Sequence, residues 1–203
     1  YKLKEIFINK NLKKLDTSAF WFCDSLNRIV VDSNNKNFVV TSNCLYNYNM
    51  TNLVLASRNI DKLTIPEGVI SIGDYALSDC KNIVEINLPA TLTNIGYYAF
   101  NDCEKLLAIN VSNASKVYSS KAGVLFDKSK SKLIRVPCGV TSYNIPEGVD
   151  TICTNAFYNS KELSNIILPD SLAKIHGEAF YGCVSLKSIT IPKSVVEMSD
   201  RCL

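Results

Sequence analysis

Residues 83–106 read IVEINLPATLTNIGYYAFNDCEKL, and the reading of this stretch decides the fold. Its opening alternates, with Ile86 and Leu88 apolar and Glu85 and Asn87 polar. Alternation with β-branched residues makes a strand with one buried face. Pro89 ends that strand, because proline has no N–H to give to a ladder. Leu92 and Ile95 then point inward again, three residues apart. The segment from Gly96 to Cys103 carries Ala99, Phe100 and Cys103 at a short helical or 3₁₀ spacing. By Leu106 the chain has reversed and a new strand can begin.

The same plan returns along the whole chain. An apolar residue at i, i+3 and i+5 recurs at Leu3-Ile6-Ile8, Leu26-Ile29-Val31, Ile60-Leu63-Ile65 and Ile83-Ile86-Leu88. It continues at Leu106-Ile109-Val111, Val140-Tyr143-Ile145, Leu163-Ile166-Leu168 and Leu186-Ile189-Ile191. The middle residues are separated by 23, 34, 23, 23, 34, 23 and 23 positions. A period in this range is a solenoid, in which each turn buries its apolar side against its neighbours. Residues 1–203 therefore read as one solenoid of about eight turns, with parallel strands stacked ~4.8 Å apart over on the order of 34 Å. Phe20, Phe100, Phe157 and Phe180 fall in equivalent places, with Leu77 and Leu203 substituting, and are expected to form a stacked spine.

The two 34-residue turns share a second plan. After Val31 come Phe38-Val39, Asn43 to Tyr46 and Leu53-Val54-Leu55; after Val111 come Val117-Tyr118, Gly123 to Asp127 and Leu133 to Pro137. Short β-runs separated by polar residues predict a hairpin in each long turn.

Composition sets the outer limits. The 203 residues are 47% hydrophobic and 20% charged, which suits a core-forming chain. The net charge is only +3, so nucleic acid is not the expected partner. The best basic run, Lys128-Lys130-Lys132-Arg135, alternates with Ser and reads as a solvated hairpin turn. There is no run of about 18 apolar residues, hence no membrane-spanning helix is expected. The chain opens at Tyr1 without a Met or a signal peptide, and both ends fall inside a repeat, so both read as truncated.

These turns resemble the BspA-type leucine-rich repeat, also called the Treponema pallidum type. The resemblance rests on Ile86-Asn87-Leu88-Pro89 through Ile95-Gly96-Tyr97-Tyr98-Ala99-Phe100-Asn101-Asp102-Cys103. It returns at Ile166-Ile167-Leu168-Pro169 through Ala179-Phe180-Tyr181-Gly182-Cys183. Gly123 to Lys128 followed by Leu133 to Pro137 is similar to the hairpin variant of that family. Departures are Ser160 at one Cys position, and Asp16, Cys153, His176 and Ser199 where the family has Gly. The resemblance implies a right-handed, mostly β solenoid of the α/β class, with a parallel sheet on its concave face. Short helical or 3₁₀ bends on the convex face and two hairpin insertions complete it. It also implies a secreted or cell-surface protein of a host-associated bacterium, adhesin-like, with no catalytic motif and no cofactor.

Eight cysteines in such a chain invite a disulfide framework. Cys23, Cys80, Cys103 and Cys183 instead share one slot, where stacked side chains point the same way, and read as reduced core residues. Cys44, Cys138, Cys153 and Cys202 occupy other slots, where a bridge stays open. No closely spaced Cys or His pair suggests zinc. His176 is the sole histidine and reads as structural. Asn49-Met50-Thr51 and Asn113-Ala114-Ser115 match the glycosylation sequon and lie in the long turns.

The alternation also assigns the outward residues of the strands. The candidate binding residues are Lys62, Thr64, Glu85, Asn87, Asn110, Asn144, Asn165, Ser188 and Thr190, on a polar, amide-rich face. Amides and hydroxyls of this kind hydrogen-bond to sugars or peptide backbone. Exposed aromatics, Tyr158 and Tyr181 with Trp21 in the matching place, and Tyr46 and Tyr48 of the first hairpin, are the second candidates. The expected function is recognition of a host extracellular-matrix or cell-surface protein, a bacterial surface or a glycan. The alternative is a structural spacer or display stalk within a larger surface protein.

Overall fold

The computed structural model describes residues 2–20 and 22–203. The described residues are strands and turns, with one short 3₁₀ segment, Thr17–Phe20. The chain forms two compact units, Tyr1–Glu104 and Lys105–Leu203. Each is a stack of coils built on the repeat. In the first, Glu5–Ile8 pairs in parallel with Arg28–Val31, and Lys62–Thr64 with Glu85–Leu88, each 23 residues apart. In the second, Ser142–Asn144 pairs in parallel with Asn165–Ile167 at the same spacing. The alternation holds through these strands: Leu63, Ile86 and Ile166 are buried, while Lys62, Thr64, Asn165 and Ile167 face solvent.

A second ladder runs through each unit. In the first unit Asn52–Ala56, Ser71–Ile72 and Asn94–Ile95 pair in parallel. In the second, Lys132–Arg135, Thr151–Ile152, Lys174–Ile175 and Glu197–Met198 do the same. The long turns start these ladders. Phe38–Thr41, Cys44–Asn47 and Asn52–Ala56 form an antiparallel meander whose last strand opens the first ladder. Tyr118–Lys121, Val124–Asp127 and Lys132–Arg135 repeat it in the second unit. The expected hairpins are thus present, each extended by a third strand.

The hairpins also interrupt the ladder of 23-residue-spaced strands described first, which departs from the continuous sheet expected. Ile109 donates to the carbonyl of Gly123 at 2.8 Å, so the hairpin tip takes the place beside Ala108–Val111. Gly123 has φ +78°, and a Cβ there would lie 2.9 Å from the Leu107 oxygen, so glycine is needed at this tip. A second departure is at 186–191. Ile189 and Ile191 pack on the core as the alternation predicts, yet the segment joins no ladder. Alternation reports side-chain direction, and it is silent on whether the backbone meets a partner.

The bends replace helix with stacked tight turns. Tyr75 and Asp79, Tyr98 and Asp102, Asn155 and Asn159, and Glu178 and Gly182 all have positive φ, two per bend and four residues apart. Alternate amides close turns within a bend, as in Ser78 to Tyr75 and Cys80 to Leu77. The others reach the next coil: Tyr75 donates to Tyr97, Leu77 to Ala99 and Asp79 to Asn101. In the second unit Asn155, Phe157 and Asn159 donate to Gly177, Ala179 and Tyr181. Cys153, His176 and Ser199, standing where the family has Gly, still donate to Leu133, Ile152 and Ile175, so these departures leave the coil-to-coil bond intact.

Inside the bends, Phe157 and Phe180 stack with centroids 4.7 Å apart at 15°. Leu77 and Phe100 are buried at the same position in the first unit, whereas Leu203 is 59% exposed and does not extend the spine. Arg135, read above as part of a solvated run, is 4% exposed. Its guanidinium donates to the carbonyls of Asn155 and Tyr158 and lies 2.9 Å from the Cys138 sulfur. Arg58 is likewise buried, donating to the Ala56 carbonyl and to Cys80. Burial raises the neighbouring Asp79 carboxyl above its ordinary range, and Arg58 partly offsets this.

Phe180→Ala removes half of a stacked pair with little room to collapse, and is expected to lower stability by about 3–5 kcal/mol. Phe180→Leu keeps most of the volume and should lose less than half of that, which urea unfolding of the three proteins side by side would measure.

Candidate functional site

The outward residues of the face strands are positioned by register. In the first unit, Lys62 lies beside Glu85 and Thr64 beside Asn87. Lys62 Nζ is 3.6 Å from Glu85 Oε2, and Asn87 Nδ2 donates to Thr64 Oγ1 at 3.3 Å. Arg28 and Glu5 form a closer pair at 2.8 Å on the strands before them. These ion pairs are exposed, so each is worth little to stability, ~0–1 kcal/mol. They hold the side chains upright rather than hold the fold together.

In the second unit the register separates residues that looked like one amide row. Asn165 stands beside Ser142, to which its Nδ2 donates at 3.3 Å. Asn144 stands beside Ile167, which is 55% exposed. Asn110 is half-buried on Ala108–Val111, next to the hairpin. Ser188 and Thr190 are exposed on the segment that joins no ladder. The candidate residues on paired strands therefore include two groups, Lys62, Thr64, Glu85 and Asn87 in one unit, and Asn144 and Asn165 in the other. Strand spacing was legible in sequence; the column each residue joins depends on the hairpins and was not.

The aromatic candidates divide. Tyr158 and Tyr181 stack at 5.2 Å on the bends of the second unit, as do Tyr75 and Tyr98 in the first. Trp21 lies outside the described residues. Tyr46 is fully buried and belongs to the core, while Tyr48 is exposed. Tyr46 lies within Cys44–Asn47, whose first three residues are all buried, while Tyr48 follows the strand in the turn; two tyrosines two positions apart do not reveal where the strand ends.

This architecture, stacked parallel coils with a strand and a bend in each 23-residue step, agrees with comparisons to known proteins. The family model of the BspA type leucine rich repeat region matches residues 1–60, 52–137 and 136–203, in six copies. The chain belongs to the BspA-type leucine-rich repeat family. No curated protein sequence matches it. Among solved structures it is similar to a leucine-rich repeat protein from Eubacterium ventriosum, at 24% identity and a TM-score of 0.58 over 98% of this chain and 57% of that one. The pneumococcal vaccine antigen PcpA superposes with the same TM-score at 22% identity, over 98% of this chain and 47% of the antigen. A leucine rich cell surface protein from Faecalibacterium prausnitzii matches at 23% identity and a TM-score of 0.50, over 98% and 70%. The chain spans about half the length of the first two. At these identities the likeness is one of fold.

In this BspA-type chain all eight thiols are unbridged. The repeated Cys slot has a use besides filling space. Cys80, Cys103 and Cys183 donate to the carbonyls of Ser57, Leu77 and Phe157 on the preceding coil, at 3.6, 3.2 and 3.1 Å. Ser160, which replaces Cys in this slot, is buried with its hydroxyl unpartnered. Among the described residues no group of three His, Cys, Asp or Glu side chains is placed to hold a metal. No helix among them is long and apolar enough to cross a membrane. Of the sequon residues, Asn49 and Asn113 are exposed, but Ser115 is buried and its hydroxyl accepts from the Val117 and Tyr118 amides.

Burial pushes the Cys44 thiol up to about 12, with Cys80 adding to it, and Cys153 and Cys183 up to about 11. A thiol with its folded value raised favours the folded state fully below its unfolded value. That contribution is lost as pH rises from about 9 toward about 12. Stability measured by urea unfolding should therefore fall between pH 8 and pH 10.5. In Cys44→Ala the fall should be shallower; equal slopes in both proteins would contradict the assignment.

Proposed function

We propose that this chain is a recognition module of a bacterial surface protein, one whose exposed strand face binds a host extracellular-matrix or cell-surface protein, or a glycan. BspA-type repeats form a scaffold suited to binding or display, and the face strands of this chain carry exposed side chains that take no part in the core. The single observation that carries the reading is the face of the second unit. Ser142, Asn144, Asn165 and Ile167 stand exposed on two register-matched strands, a mixed polar and apolar patch on a rigid ladder. The half-buried Tyr143 and the buried Ile166 between them take the packing role, so the outward residues are free to serve recognition. The relatives agree in kind: one is described as a cell surface protein and another as a vaccine antigen. Display outside the cell is part of the same proposal.

The test is binding of the purified chain to a panel of matrix proteins, mucins and glycans, beside the double variant Asn144→Arg, Asn165→Arg. Both sites are exposed, so the variant should melt within a few degrees of the parent. The expected result is saturable binding by the parent and a loss of about tenfold or more in the variant. Unchanged binding by the folded variant would overturn the strand face as the site. No binding to any member by either protein would favour a structural spacer instead.

A further inference from the structure

The second long turn holds a cavity of about 210 Å³ between its hairpin and the end of the strand Ala108–Val111. Ser112, Asn113, Ser119, Ser120, Lys128 and Lys130 line it, with Tyr118 at its side. Lys128 and Lys130 are exposed and make no ion pair among the described residues. No carboxylate lines the cavity. The hairpin's own acid, Asp127, is occupied: it accepts from the Lys132 amide at 2.8 Å and from the Ser129 hydroxyl. Ser120 Oγ accepts from the Val111 amide at 3.0 Å, which leaves its proton to point elsewhere.

The other long turn is an internal control. Its backbone is the same: Phe38 pairs with Asn47 as Tyr118 pairs with Asp127, and Met50 has φ 57° where Lys130 has 64°. Eighty residues earlier, Val39, Val40, Tyr48 and Met50 stand where Ser119, Ser120, Lys128 and Lys130 stand here. The hairpin therefore folds without this basic, hydroxyl-rich lining. The Ser119 hydroxyl donates to the Asp127 carbonyl at 2.7 Å and serves the hairpin, but the two ammonium groups, the Ser112 and Ser120 hydroxyls and the Asn113 amide gathered in one recess are explained by a ligand better than by the fold.

We propose that this recess binds a single acidic sugar residue, one that carries a carboxylate or a sulfate. The volume equals about seven waters, room for one six-membered ring with its substituents. The two lysines meet the charge as mobile point cations, and Ser112, Ser120 and Asn113 offer the donors and acceptors that ring hydroxyls pair with. The site is separate from the strand face and does not depend on it.

Isothermal titration of the whole chain would use N-acetylneuraminic acid, glucuronic acid and N-acetylglucosamine-6-sulfate. Glucose, N-acetylglucosamine and inorganic sulfate are the comparison probes. At least one acidic sugar should bind, about tenfold tighter than the neutral sugars and tighter than sulfate alone, and more weakly as salt rises. Which acidic sugar binds separates a carboxylate ligand from a sulfated one. Lys128→Gln with Lys130→Gln should remove that preference, and so should Ser119→Val with Ser120→Val, Lys128→Tyr and Lys130→Met, which copies the first hairpin. Asn144→Arg with Asn165→Arg should leave it unchanged, so failure here is distinct from failure of the strand face. Binding of sulfate as tight as any sugar, equal binding of neutral and acidic sugars, no binding at millimolar concentration, or full binding by the folded lysine variant would each overturn the proposal.

Discussion

The coils of this protein lean on one another through their backbone. In the bends at 73–80, 153–160 and 176–183, alternate amides are turned away from their own coil and the carbonyl of the next coil accepts them, as for Leu77 on Ala99, Phe157 on Ala179 and Phe180 on Cys202. A buried amide left unpaired costs about 1–3 kcal/mol, so a coil without its neighbour would lose several such bonds at once. The 23-residue period follows from this. Insertion of one residue within a coil would put the wrong amides opposite the wrong carbonyls and turn the Phe and Cys slots out of line. The apolar residues fill the inside of each coil, but the hydrogen bonds set its length.

The two 34-residue turns show how such a stack accepts extra chain. The added residues do not bulge from a coil; they fold into an antiparallel meander that satisfies its own backbone and hands its third strand to the next ladder. The consequence is that the outer face is divided at each meander, while the second ladder starts afresh there. The meander also brings new surface against the face strand. In one unit that surface is Val39, Val40 and Met50; in the other it is serines and lysines around a recess. Repetition of backbone with divergence of side chains is how one scaffold can hold different ligands.

Much of this was legible in residues 83–106 alone. The alternation around Ile86, the stop at Pro89 and the slots of Ala99, Phe100 and Cys103 gave strand, bend and period, because each is a local rule. The bends were expected as helix because Ala99, Phe100 and Cys103 have helical spacing; two left-handed residues per bend produce the same spacing with turns. Arg135 was misread because a run of lysines and serines surrounds it, whereas its own place, two residues after Leu133 on the same strand, faces the core. The columns of the candidate face were hidden because register across a gap depends on where the meander sits. The recess was hidden for a related reason: Ser112 and Lys130 are distant in sequence and meet only when the meander folds back.

Amide hydrogen exchange on the native chain tests the dependence of each coil on its neighbour most directly. The amides of Tyr75, Leu77 and Asp79 should share one high protection, and so should those of Asn155, Phe157 and Asn159, because exposing any one of them requires separating two coils. Rapid, unequal exchange at these six positions, at rates typical of open surface turns, would contradict the account.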